Sequence, residues 1–90
     1  MTKQKKEPQP DSKPDNLVFE ERLGAIRVTI WENHDKNGNV FHNVNVVRRY
    51  QVGSEWSNSD KFTGLSDVAL LREAVELAQT WLRSYSLGGK

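Results

Sequence analysis

Residues 25–50 read Ala25-Ile-Arg-Val-Thr-Ile-Trp-Glu32, then Asn33-His-Asp-Lys-Asn-Gly-Asn39, then Val40-Phe-His-Asn-Val-Asn-Val-Val-Arg-Arg-Tyr50. Two alternating runs, rich in β-branched and aromatic residues, flank a polar segment that holds Asn37-Gly38. This pattern is a strong β-hairpin signal. Period-two alternation places Ile26, Val28 and Ile30 on one face and Arg27, Thr29 and Trp31 on the other. On the return strand Val44 and Val46 must join the aliphatic face, leaving Asn43, Asn45 and Arg49 opposite. A two-residue Asn-Gly turn would set Ile30 against Asn45 and mismatch the faces. A three-residue loop, Lys36-Asn37-Gly38, with Gly38 left-handed at a bulge, sets Ile30 against Val44 and Val28 against Val46. Burial selects the longer loop. The same register puts Arg48 on the buried side opposite Ile26 and turns Val47 outward, and a bulge near Val46-Val47, or fraying beyond the core, would relieve both.

Upstream, Leu17-Val18-Phe19-Glu20-Glu21-Arg22-Leu23 alternates only partially, and Gly24 marks a bend or bulge before the strong pattern. The segment is expected to be either a short edge strand or the bent beginning of one long strand. Residues 1–16 contain all three prolines and no apolar residue after Met1. Such a segment cannot bury enough surface to offset its ordering entropy and is expected to be a disordered, solvated tail, Lys3-Lys5-Lys6 included. Downstream, a turn at Gln51-Val52-Gly53-Ser54 leads into 55–64, a polar third strand anchored by Trp56 and Phe62 at matching parity. The rest is helical: Ser66 reads as N-cap, Asp67 complements the helix dipole, and Gly88-Gly89 lie beyond the end. The apolar half of this helix spans roughly 180° of its circumference, wider than the stripe of a little over 100° that covering a small sheet requires. The surplus fits a thick core or a self-association surface. In a domain this small the second is favoured, with Leu70, Leu77 and Trp81 as the expected dimer interface.

The expected organisation is therefore a tail (1–16), one β-β-β-α domain (17–86) and a short C-terminal tail (87–90). The fold class is α+β: a curved antiparallel sheet of three or four strands with one amphipathic helix across one face.

Charge bounds the function. The total is +1, and it is spread evenly. Residues 1–16 carry four lysines against three acids, 17–64 six bases against six acids, and 65–90 three against three. A strongly basic domain is excluded, so any cationic patch must come from placement on one face. There are no cysteines, hence neither a disulfide framework nor a thiolate metal site. No stretch reads as a signal peptide or membrane span, and a cytoplasmic protein with no membrane partner is the expectation. The turn Asn33–Gly38 resembles the first half of a calcium loop, but the closing glutamate position is Val44, and hairpin chemistry explains the same residues. His34 and His42 lack a nucleophile at local spacing. Neither an enzyme, a metal site nor a cofactor is expected.

What remains is the face bearing Arg27, Trp31, Phe41, Asn43, Asn45 and Arg49. Guanidinium and aromatic groups interleaved on an open sheet suit single-stranded nucleic acid: bases stack on aromatic planes while cations track phosphates. The same residue types also suit a second apolar layer, with Trp31 and Phe41 covered by the N-terminal segment or a partner. Tyr50 and Trp56 flank the second turn, placed to stack on each other or on a base.

The carriers Phe19, Gly24-Ala25-Ile26-Arg27-Val28-Thr29-Ile30 and Val47-Arg48-Arg49-Tyr50, followed by a short turn and a long helix, resemble the positive-cofactor-four family of transcriptional coactivators and their bacterial, whirly-related relatives. The resemblance covers about residues 19–82. It implies a dimer of curved sheets, each backed by a helix, that binds single-stranded DNA. It further implies Arg27 on the binding face and Arg48 or Arg49 as a backbone contact. The family's basic third strand is represented by Asp60-Lys61-Phe62-Thr63-Gly64. The expected function is a small dimeric, sequence-nonspecific single-stranded nucleic-acid-binding protein, with Arg27, Arg48, Arg49 and Lys61 on phosphates and Trp31, Phe41 or Trp56 on bases. The alternative is a non-enzymatic protein-interaction or structural module of the same fold.

Overall fold

In the computed structural model, which describes residues 15–86, the chain runs β1 (Leu17–Leu23), β2 (Ile26–His34), β3 (Val40–Val52), β4 (Glu55–Ser59), α1 (Gly64–Ser84). The expectations for residues 1–14 and for Gly88-Gly89 fall outside the described residues. The strands form one four-stranded antiparallel sheet in sequence order, joined throughout by short turns, and the helix follows it. This is the α+β fold the sequence predicts.

The β2–β3 hairpin has the register that matched the aliphatic faces, with Ile30 opposite Val44, Val28 opposite Val46 and Ile26 opposite Arg48. Its loop is closed by Asp35 N–H donating to Asn39 O at 2.9 Å, which leaves Lys36-Asn37-Gly38 at the tip. Gly38 N–H bonds Asp35 O at 3.0 Å and Gly38 takes φ 86°, a left-handed conformation that a side chain would resist. Asp35 completes the turn with its carboxylate, which accepts from the N–H groups of Asn37 and Asn39, each at 2.9 Å. These bonds, Asn39 foremost, hold its carboxyl below the ordinary value of 3.8. A carboxylate favoured in the folded turn stabilises it at pH above 3.8, and that contribution is lost as acidification passes through the lowered folded value. The Asn37 and Asn39 amide resonances are thus expected to stay fixed above pH 4 and to shift together only below it. Movement between pH 5 and 7 would contradict this role.

β1 is a separate edge strand, hydrogen-bonded to β2 through a two-residue turn at Gly24-Ala25. Its weak alternation has a local cause. Phe19 and Leu23 sit opposite Ile30 and Ile26, but a bulge between Leu17 and Phe19 moves Leu17 across to pair with Trp31. The sheet also starts earlier than composition suggested: Asn16 O accepts Glu32 N–H at 2.8 Å.

Three expectations are corrected. No bulge interrupts β3 near Val47, where pairing runs evenly past Arg27–Val47 to Ile26–Arg48. Arg48 stays on the helix side, its Nε 2.6 Å from Asp67 Oδ2, an electrostatic contact rather than an aligned hydrogen bond. The helix begins at Gly64 with Thr63 as N-cap, not at Ser66, because Asp67 Oδ2 reaches back to accept Thr63 N–H at 2.8 Å. Trp56 and Phe62 do not share a face. β4 ends at Ser59, and Phe62 turns into the core while Trp56 stays out on the sheet.

Ile26, Val28 and Ile30 are fully buried under Ala74 and Ala78 of α1, ringed by Phe19, Leu23, Val46, Phe62 and Leu82. Alanines at the contact let the helix seat closely on β2, whose three aliphatic side chains supply the bulk. The helix lies over β2, with β1 and part of β3 beneath its flanks. Leu70 and Trp81 spend their surface on this core, and Leu77 is half-buried. Of the helix's apolar half, Val68 and Val75 remain about half exposed.

Candidate nucleic-acid interface

Because α1 packs on one side only, the other side of the sheet is open among the described residues. Parity and register place Glu20 and Arg22 of β1, Arg27, Thr29 and Trp31 of β2, and Phe41, Asn43, Asn45, Val47 and Arg49 of β3 on this side. Trp56 and Asn58 of β4, opposite Gln51 and Arg49, continue it.

Its cationic end is built around the β1–β2 turn. Arg22 and Arg27 are cross-strand partners, and Arg49 is anchored beside them by its N–H bond to Ala25 O at 2.7 Å. The Arg49 guanidinium lies over the Trp56 ring, 5.0 Å from its centroid, a cation–π contact that holds both side chains in place. Arg27 Nε meets Glu20 Oε2 at 2.6 Å, both side chains partly buried. Arg22, Arg27, Arg49 and Trp56, with Gly24 and Ala25, line a concave pocket of about 300 Å³. Gly24, at φ 63°, is the residue the tight turn demands.

The opposite end is aromatic. Phe41 is 44% exposed. Trp31 is half-buried, and its indole N–H donates to Thr29 Oγ1 at 3.0 Å; Thr29 in turn bonds Asn45 O at 3.4 Å. Trp31 is therefore a fixed floor, whereas Trp56, 58% exposed, is the more accessible ring. From Phe41 to Arg49 the strand covers about 27 Å at ~3.4 Å per residue, so aromatic and cationic groups lie along one line.

Of the residues expected on this face, Arg27, Trp31, Phe41, Arg49 and Trp56 lie on it, and Arg27, Arg49 and Trp56 come together around the pocket. Arg48 does not; it belongs to the helix side with Asp67. Lys61, beyond the end of β4, is exposed and paired with Asp60 at 2.9 Å, a hydrogen bond that raises its pKa. Tyr50 and Trp56 point to opposite faces, since Tyr50 pairs with Ser57 and Trp56 with Gln51; stacking between them is replaced by the Arg49–Trp56 contact. Arg22 was not anticipated. Its strand carried too weak an alternation to assign a face, although the Arg22-Leu23-Gly24-Ala25-Ile26-Arg27 spacing about a two-residue turn would have paired the two arginines.

On the helix side, His42 is packed edge-on against Trp81 and Tyr85, with centroids 5.3 and 4.7 Å away, and those two rings stack on each other at 5.7 Å. Its Nε2 lies 3.5 Å from Glu32 Oε1. His42 thus closes the core beneath the end of α1, remote from the open face. Among the described residues no group of three or more His, Cys, Asp or Glu side chains is disposed to hold a metal, and no helix is long and apolar enough to cross a membrane.

Compared with protein-family models, with curated proteins and with solved structures, the chain matches none.

Proposed function

We propose that this protein binds single-stranded nucleic acid, without sequence preference, across the open face of its sheet, as the resemblance to the positive-cofactor-four family also suggests. The observation that carries this reading is the juxtaposition of Arg22, Arg27 and Arg49 around one pocket with the exposed Trp56 as its wall. Phosphate diesters need guanidinium donors, which can engage two oxygens at once. Bases need an aromatic plane, and every base offers a π-face, so stacking is indifferent to sequence. Among the described residues the open face bears three arginines, Arg22, Arg27 and Arg49, against the single acid Glu20, so it is cationic although the chain as a whole is nearly neutral.

Trp56 and Phe41 are exposed among the described residues, and it is the guanidinium groups set beside the Trp56 ring that favour nucleic acid over a protein-interaction or structural module. The face also offers exposed amide groups at Asn43, Asn45 and Asn58, suited to bases and sugars without a fixed code.

Titrating the intrinsic tryptophan fluorescence with oligo-dT tests the proposal. Quenching is expected, and if three phosphates are neutralised, affinity should fall with a slope of about −2 in log–log salt, roughly fifteenfold between 50 and 200 mM. Trp56→Ala should weaken binding by about 1–3 kcal/mol, the worth of one stacked base. No spectral change with micromolar protein in 50 mM salt would overturn the proposal.

A further inference from the structure

The cations of the open face are gathered at one end of it. Among the described residues the strands carry Arg22, Arg27 and Arg49 there, and no other lysine or arginine on that side. From Val47 to Phe41, about 20 Å at ~3.4 Å per residue, β3 presents Asn45 and Asn43 between apolar side chains, opposite Thr29 and Trp31. A strand threaded along the sheet carries one negative charge at every nucleotide, so a surface built only to track it spreads its cations along the path. Here three guanidinium groups meet in one place.

That place is a corner. The β1–β2 turn ends at Gly24-Ala25, where Arg49 N–H bonds Ala25 O. β3 runs on past it to Val52 and returns as β4, with Trp56 opposite Gln51. The two hairpins bound the pocket from two sides, and its volume of about 300 Å³ is at the lower end for small-ligand clefts. It suits one nucleotide rather than a run of them. Arg22 is exposed and Arg49 half-buried, and among the described residues neither makes an ion pair. Arg27 shares its Nε with Glu20, so three guanidinium groups less one carboxylate leave two positive charges. A phosphodiester brings one negative charge and two free oxygens. A phosphomonoester brings about −1.5 to −2 and three acceptor oxygens, which matches both the charge and the number of forked donors.

We infer that this corner receives the terminal phosphate of a nucleic-acid strand, a phosphomonoester at its 5′ or 3′ end, with the terminal base against Trp56. The inference rests on the reading of the open face as a single-stranded nucleic-acid interface and adds that the protein holds its ligand by an end. Trp56 keeps 58% of its surface exposed even with the Arg49 guanidinium over its ring, so it retains area for a base. From the corner the strand runs toward Phe41 over Asn45, Asn43 and Trp31, where it meets amides and rings instead of charge. The uncharged path binds weakly and without sequence preference, and the corner fixes where the strand begins.

The test is a tryptophan-fluorescence titration of the full chain with oligo-dT of one length in three forms: 5′-phosphorylated, 3′-phosphorylated, and with hydroxyls at both ends. At least one phosphorylated form should bind about tenfold more tightly than the hydroxyl form, the gain expected of an added charge-assisted hydrogen bond. The form that gains tells which end the corner takes. In Arg22→Gln, with circular dichroism unchanged, the phosphorylated and hydroxyl forms should come to nearly equal affinity, beyond any loss common to both. Equal affinity of the parent chain for all three forms overturns the inference and leaves the nucleic-acid reading standing. A gain that persists undiminished in Arg22→Gln also overturns it, because the added charge would then be felt elsewhere than in this pocket. Absence of quenching by every form removes the nucleic-acid reading itself, and the inference with it.

Discussion

Ile30→Ala is expected to lower the unfolding free energy by about 2–5 kcal/mol, the usual consequence of emptying a close-packed site. Ile30 is fully buried at the centre of the sheet, between Phe19 and Val44 on the neighbouring strands. The loss should be near the upper part of that range, because among the described residues the buried apolar core comprises Ile26, Val28, Ile30, Ala74 and Ala78 alone. A small domain has little to spare when total stabilities are about 5–15 kcal/mol. At roughly 4–8 °C per kcal/mol for a domain of this size, the melting temperature should drop by at least about 8 °C. Val44→Ala, on the same rung but 42% exposed, should cost less than about 1 kcal/mol in the monomer. Urea unfolding of both variants checks the pair. Equal losses would mean that the helix does not cover β2 in preference to β3.

Asp67→Ala should be the most damaging change of a charged residue, at about 1.5–3 kcal/mol, the range for hydrogen bonds to charged groups. One carboxylate oxygen serves two purposes: it accepts Thr63 N–H at the start of α1 and lies 2.6 Å from Arg48 Nε. The Asp67 side chain is only 15% exposed and that of Arg48 31%, so solvent screens the pair only partly. Removing Asp67 strands the arginine beside the core, and much of the cost is that unpaired charge. Arg48→Met added to Asp67→Ala should therefore recover part of the loss, leaving the share due to the helix cap. Asp60→Ala, which breaks the fully exposed pair with Lys61, should leave stability unchanged. If the double variant is no more stable than Asp67→Ala alone, Arg48 is not held by this contact.

The hairpin was readable from residues alone because both of its strands carry aliphatic side chains, and only one loop length brings them to the same face. Arg48 carried information too. A cation forced to the buried side suggested a defect in the strand, yet the remedy lay in Asp67, nineteen residues on, where periodicity within the hairpin could not show it. The helix start was misplaced for a related reason. Ser66 is a good cap in isolation, but Gly64 at φ 75° starts the helix earlier, and Asp67 reaches back to Thr63. Phe62 followed no strand parity because the chain leaves the sheet after Ser59. In β1 one bulged residue, Val18, was enough to hide the alternation and with it the face of Arg22. The aromatic and cationic composition of the site was thus visible in sequence. Its concentration into a pocket at the β1–β2 turn depends on where β1 and β4 lie, and those are the two strands with the poorest patterns.

Chemical-shift mapping of the full chain with oligo-dT tests most directly the claim that the open face is the nucleic-acid interface. The indole N–H of Trp56 and the amides of Arg22, Arg27, Asn45 and Arg49 are expected to shift on titration, with smaller changes at Phe41, while the interior of α1 from Val68 to Leu82 stays still. Shifts concentrated on α1, or on Arg48 and the surroundings of His42 with the Trp56 indole unmoved, would contradict it.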